Sequence, residues 1–132
     1  MREEARRWLR QAQADLKAAQ DSLKDKHFEW SCFQSQQSAE KSLKYYLYNL
    51  GFTSLITHSI KILVKECRKK EKRFSQIEEA ASLLDAYYIP TRYPNGLDHH
   101  SAPVDYYDEK DAQKCLNCAI LILNIVQRSA KG

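Results

Sequence analysis

The sequence predicts an all-α fold, an antiparallel up-and-down bundle of four to five helices. Three observations carry that expectation. Only three Gly and three Pro occur in 132 residues, too few breakers for many short strands and turns. Apolar residues recur at steps of three and four in five separate stretches, the spacing that gives a helix one apolar face. All three prolines and one glycine fall between Pro90 and Tyr107, which leaves most of the chain uninterrupted. The length suits a single domain over residues 1–132 with its own hydrophobic core.

The first helix is expected from about Glu3 to about Lys24, with Trp8, Ala12, Leu16, Ala19 and Leu23 on one face. Its alanines suit close approach of a neighbouring helix. The second is expected from Glu29 to Leu50, with Gly51 as its C-terminal stop. Ala39, Leu43, Tyr46, Leu47 and Leu50 share a packing face. Gln37, Glu40, Lys41 and Lys44 share another, its centre roughly 130° away at ~100° per residue. A third helix is expected from His58 to Lys70, with Thr57 as N-cap. Its basic end, Arg68-Lys69-Lys70, complements the helix dipole.

The fourth helix is expected after Ser75, whose spacing to Glu78 is that of a capping box, and Pro90 ends it. The stretch from Pro90 to Tyr107 is too long and too rich in breakers for regular structure, and such loops tend to carry function. The last helix opens near Asp108, with Ala112, Cys115, Ala119, Ile122 and Val126 as its stripe. The cluster Tyr45-Tyr46-Tyr48 is expected to divide between core and subunit interface.

Lys plus Arg outnumber Asp plus Glu, 21 to 17, for a net charge of +4. That balance suits a nucleotide or short RNA better than a long duplex, which calls for a denser basic stripe. No apolar run approaches the ~18 residues of a membrane span. The charged start Met1-Arg2-Glu3-Glu4-Ala5-Arg6-Arg7 lacks the apolar segment of a signal peptide. A cytoplasmic location is therefore expected, with Cys32, Cys67, Cys115 and Cys118 as reduced thiols.

Several motifs invite a chemical reading. Lys41 and Lys44 are point charges for phosphate, and Gln37, beside Glu40, can read a base or ribose edge. The bland alternative is a solvated face with Glu40–Lys44 as an i, i+4 ion pair. Arg92-Tyr93-Pro94 offers a guanidinium for phosphate and a ring for stacking. Alternatively Pro94 stiffens the loop, Tyr93 packs on the bundle and Arg92 caps a helix end. His58 is a candidate base or ligand, or a hydrogen-bonding residue at a helix start. His99 and His100 with Asp98 and Asp105 have the wrong spacing for tetrahedral zinc. Cys115-x-x-Cys118 is half a zinc or redox motif, lies inside a helix, and is best explained as buried thiols. No P-loop and no GxGxxG fingerprint is present. No metal and no cofactor is expected.

Four pieces together resemble the HEPN family (higher eukaryotes and prokaryotes nucleotide-binding). They are Trp8-Leu9-Arg10-Gln11-Ala12 with Ala14-Asp15-Leu16 and Ala19; Glu29-Trp30-Ser31-Cys32-Phe33 running into Gln36-Gln37-Ser38-Ala39-Glu40-Lys41-Ser42-Leu43-Lys44; Thr57-His58-Ser59; and Thr91-Arg92-Tyr93-Pro94 with Asp111-Ala112. The Gln36–Lys41 run is similar to stand-alone prokaryotic members, which are encoded beside minimal nucleotidyltransferases in toxin–antitoxin-like pairs. The first two pieces also resemble the C-terminal HEPN domain of sacsin, a large chaperone-related protein.

The resemblance implies a homodimer that holds a nucleotide or short RNA near Gln37, Glu40, Lys41, Lys44, His58, Arg92 and Tyr93, with a minimal nucleotidyltransferase as partner. It implies two alternatives. One is a metal-independent ribonuclease: Arg92 and His99 fit the R-x4–6-H signature of HEPN ribonucleases, although Pro94 and Gly96 interrupt the interval. There, His acts on the ribose 2′-hydroxyl and Arg stabilises the phosphate. The other is a purely structural dimerisation module.

Overall fold

The computed structural model describes residues 2–97 and 100–131. They form six α-helices in the order α1 (Glu3–Lys24), α2 (Phe28–Asn49), α3 (Ile60–Lys70), α4 (Glu78–Asp85), α5 (Pro103–Tyr106) and α6 (Glu109–Lys131), with 3-10 turns at Lys72–Ile77 and Pro94–Gly96. No strand occurs among the described residues. Five of the helices are those the periodicity predicts. The sixth, α5, is a single turn inside the Pro90–Tyr107 interval, started by Pro103 at a position where a missing N–H costs nothing.

The central element is α2. It packs along α1 and α6 and touches α3, α4 and α5. Against α1 the approach is close, because Ala5, Ala12 and Ala19 are fully buried at seven-residue spacing. Small side chains there let α2 serines reach the α1 backbone. Ser31 Oγ donates to the Ala19 carbonyl at 2.8 Å and Ser38 Oγ to that of Ala12 at 2.7 Å. On the other side Leu43, Leu47, Ile60, Leu63, Phe74, Ile77, Leu84, Ile122 and Val126 fill the core.

The helix ends explain the register. At the end of α2, Gly51 takes φ +105°, while its N–H bonds the Tyr48 carbonyl and the Phe52 N–H bonds that of Leu47. This is the paired-bond stop that favours glycine. The N-cap of α3 is Ser59, two residues beyond the expected Thr57; its hydroxyl accepts from Ile62 N–H at 3.3 Å. The shift is tertiary in origin. Asp85, at the end of α4, accepts from the N–H groups of Ile60 and Lys61 and from Ser59 Oγ. Thr57 is left to accept from Ser59 N–H. The expected Ser75–Glu78 box is also absent: Phe74 and Ile77 bury themselves in a 3-10 turn, and Glu78 pairs instead with Arg68. At α6 the cap is reciprocal, with Asp108 accepting from Asp111 N–H and Asp111 from Asp108 N–H.

Tyr45, Tyr46 and Tyr48 are all buried within the single chain, so none is held back for an interface. Cys115 is buried inside α6, and all four cysteines are free thiols. No helix among the described residues is long and apolar enough to cross a membrane.

Candidate functional site

Along α2, Trp30, Phe33, Gln37, Glu40, Lys44 and Tyr48 follow one another at steps of three and four. They therefore form one stripe, about 27 Å long at ~1.5 Å per residue. Its two halves have different chemistry.

The first half is aromatic and cationic. Arg92 lies in the turn after α4, where its Nε donates to the Tyr88 carbonyl at 3.1 Å. Its guanidinium carbon stands 4.5 Å from the Phe33 ring centre, 4.6 Å from Tyr88 and 5.0 Å from Tyr93. Three ring faces thus hold one cation, each contact worth about 0.5–2 kcal/mol depending on exposure. None of the ion pairs among the described residues involves Arg92. Trp30 meets Phe33 edge-on, and the Trp30 and Tyr93 side chains remain 47% and 49% exposed. His58 stacks on Tyr88 with ring centres 5.1 Å apart and an interplanar angle of 16°. Tyr88 therefore joins His58 to the arginine cage.

The second half is a buried charge network. Glu40 and Lys44 are each only 3% exposed and meet at 3.0 Å. The Glu40 oxygen that holds Lys44 also lies 3.2 Å from His58 Nδ1. A carboxylate only accepts, so Nδ1 carries a proton in this contact, and in the matching neutral tautomer Nε2 is an acceptor. The His58 side chain is 57% exposed, which puts that acceptor within reach of solvent. The second Glu40 oxygen is buried without a partner among the described residues. Beyond Lys44, Trp8 takes the ammonium over its ring at 5.3 Å and stacks on Tyr48. A groove of about 290 Å³ lined by Glu4, Arg7, Trp8, Gln11 and Lys41 opens beside it.

Of the two sequence readings of the Gln37–Glu40–Lys41–Lys44 strip, a phosphate-binding face and a solvated one, the structure removes the solvated one at Glu40 and Lys44. The Glu40–Lys44 pair exists, but inside the protein, because α1 and the segment before α3 cover that part of α2. Neither lysine is a free charge: Lys44 is held by Glu40, and Lys41 donates to Asp15 of α1 at 2.6 Å. Gln37 bonds its neighbour Gln36, which in turn donates to the His58 carbonyl. The expected pocket around Lys41, Lys44, His58 and Arg92 is therefore split. His58, Glu40 and Lys44 touch one another, Arg92 and Tyr93 join them through Tyr88, and Lys41 faces α1. His99 and Asp98 lie outside the described residues. The described residues contain no cluster of three or more side chains suited to a metal.

Phe33, Tyr88 and Trp8 escaped sequence reasoning as site residues. Aromatics at helical spacing look like core, and only the Tyr87-Tyr88 pair just ahead of Pro90 marked the turn that brings Arg92 back onto α2.

Comparison with known proteins identifies the family and the fold. The sequence model of the HEPN domain matches residues 5–129. Human sacsin is 28% identical over 123 residues, which cover 91% of this chain and 3% of sacsin. The Methanocaldococcus jannaschii protein named "Putative toxin MJ1304" is 28% identical over 131 residues, covering 93% of this chain and 86% of that one. Among solved structures, TT1696 from Thermus thermophilus superimposes with a TM-score of 0.90 at 35% identity, over 96% of this chain and 98% of that chain.

Proposed function

The chain belongs to the HEPN domain family, and from that membership we propose that it is a homodimeric module binding a nucleotide or short RNA at the Arg92–His58 end of α2. The observation that carries the proposal is Arg92 itself. It is a guanidinium without a carboxylate partner among the described residues, oriented by a backbone carbonyl and three aromatic rings. Guanidinium suits phosphate because its planar fork gives two parallel hydrogen bonds. The half-exposed rings of Trp30 and Tyr93 beside it suit a stacked base. His58 Nε2 supplies an acceptor for a ribose hydroxyl.

Calorimetric titration of ATP, GTP and a short RNA, repeated with Arg92→Ala, tests this. Saturable binding lost in a folded Arg92→Ala protein supports the site. Binding unchanged by that substitution refutes the role of Arg92.

The Methanocaldococcus relative carries the name "Putative toxin MJ1304" and matches over 93% of this chain and 86% of its own length. That favours a second reading in which the protein is one half of a toxin–antitoxin-like pair with a minimal nucleotidyltransferase, and cleaves RNA without metal. Arg92 would stabilise the phosphate, and His99 would take the 2′-hydroxyl proton. Cleavage abolished by His99→Ala singles out this reading. The chain spans 3% of the length of sacsin, so a purely structural dimerisation role inside a larger protein is the third reading. It is favoured by a dimer that binds no nucleotide. The free thiols of all four cysteines suit the reducing cytoplasm.

A further inference from the structure

At the other end of α3, about 16 Å along the helix from Ser59, a second cavity has no part in the site above. It has a volume of about 290 Å³ and is lined by Tyr46, Lys70, Glu71, Arg73 and Ser129. We infer that this cavity is a binding site for a small phosphate-type oxyanion, inorganic phosphate or a phosphomonoester.

The argument begins with donors and acceptors. The lining residues are two with cationic side chains, Lys70 and Arg73, two with hydroxyls, Tyr46 and Ser129, and one with a carboxylate, Glu71. Among the described residues Lys70 forms no ion pair; its ammonium lies 5.9 Å from the Phe52 ring centre. Arg73 Nε reaches Glu71 only at 3.6 Å, a loose contact that leaves hydrogen-bonding capacity on the guanidinium. Ser129 Oγ is buried and has no hydrogen-bond partner among the described residues. A buried hydroxyl left unpaired is costly, so its presence in the cavity wall points to a missing acceptor. Burial, reinforced by Cys67 and Glu71 and opposed by Arg73, holds the Tyr46 phenol above its ordinary value of 10.0, so it remains a neutral donor.

Charge then selects the ligand. Two cations against one anion leave the cavity positive, and Arg128 and Lys131 in the last turn of α6 add to that end of the bundle. The C-termini of α3 and α6 both oppose them with the negative ends of their dipoles. A ligand here must therefore accept several hydrogen bonds and carry negative charge. A phosphate does both, since it offers acceptor oxygens for the guanidinium fork and for the hydroxyls together.

The test is an NMR titration of the full chain with inorganic phosphate, against chloride at equal ionic strength, with glycerol phosphate as a second probe. Expected are saturable amide shifts confined to Tyr46 and its neighbours and to residues 70–73 and 127–131, unchanged by Arg92→Ala. Arg73→Ala should weaken binding about tenfold or more, the loss of a charged hydrogen bond. Ser129→Ala should weaken it about threefold, the lower range for a neutral one. Glycerol phosphate binding as well as phosphate assigns the site to phosphomonoesters; phosphate alone assigns it to the free ion. Shifts that fail to saturate, that centre on Arg92, or that survive Arg73→Ala overturn the inference. So does a Ser129→Ala protein that melts higher and binds phosphate as before, since the hydroxyl would then have no ligand to serve. Failure here leaves the Arg92 site untouched, because the two are read at separate residues.

Discussion

Replacing Lys44 with Met isolates the buried charge network. The substitution keeps the length and most of the volume of the side chain but removes the ammonium that Glu40 meets at 3.0 Å. At that separation and an effective dielectric of about 20, the attraction is on the order of 5 kcal/mol. The folded protein has already borne the desolvation of both groups, so removing one partner strands a charge rather than subtracting a contact. Broken buried pairs typically cost about 3–5 kcal/mol. Glu40 has little else to fall back on: its second oxygen is already unpartnered among the described residues, and His58 reaches only the oxygen that Lys44 shares.

Urea unfolding of Lys44→Met should therefore show a loss of about 3–5 kcal/mol, or about 10–20 °C in the thermal midpoint for a domain of this size. The double variant Glu40→Leu/Lys44→Met should recover most of it, because two apolar groups replace the pair with no orphan left. The wild-type pair should also be insensitive to added salt, unlike a surface pair. A loss under about 1 kcal/mol, in the range of exposed ion pairs, would refute the burial argument and return Glu40 and Lys44 to a solvated face.

Gly51→Ala should cost about 1–2 kcal/mol in chemical denaturation, since φ is +105° and the new Cβ would lie 3.3 Å from an Arg2 guanidinium nitrogen. Asp85→Ala removes the acceptor for two backbone N–H groups and the Ser59 hydroxyl; a loss of about 2 kcal/mol is expected, with faster amide exchange at Ile60 and Lys61 as the local signature. Alkaline pH should unfold the protein early. Burial raises the Tyr107 phenol from 10.0 to about 12 and pushes Tyr87, Cys67 and Cys115 up as well, the last chiefly through its hydrogen bond with Cys32. The folded protein therefore keeps protons that the unfolded chain has released. That stability is complete below the ordinary values of 9.0 and 10.0 and drains away as pH rises through them. Thermal melts from pH 8 to 11 should fall steadily above about pH 9, and a flat profile would contradict the burial of these groups.

The helices were legible because their signal is local. A step of three or four places residues on one face whatever the helix packs against, so α1, α2, α3, α4 and α6 could all be found from spacing. What escaped was set by distant partners. Ser59 rather than Thr57 caps α3 because Asp85 arrives from another helix. The Lys72–Ile77 turn forms because Phe74 and Ile77 find the core, and no short-range rule weighs that gain against a capping box. The polar face of α2 read as open to phosphate or to solvent for the same reason: composition alone does not show that α1 and the segment before α3 close over Glu40 and Lys44. At the site, Arg92, Tyr93 and His58 stood out as charged, aromatic and titratable residues near breakers. Phe33 and Tyr88, which hold them together, resembled ordinary core.

The charge accounting decides which groups are able to do chemistry on the α2 face. Sequence reasoning offered three cations there, Lys41, Lys44 and Arg92. The structure commits the first to Asp15 and the second to Glu40. A phosphate drawn to either lysine would have to compete with a carboxylate already in place, and at Lys44 it would also have to enter a buried site. Arg92 faces no such competitor among the described residues, and its aromatic cage fixes direction without neutralising charge, because ring faces attract a cation but carry no net charge of their own. The lysines therefore organise: Lys44 holds Glu40, Glu40 holds His58, and His58 stacks against the ring that faces Arg92. Affinity should accordingly concentrate at Arg92, while damage to Glu40 or Lys44 should register first as lost stability and only through His58 as lost binding.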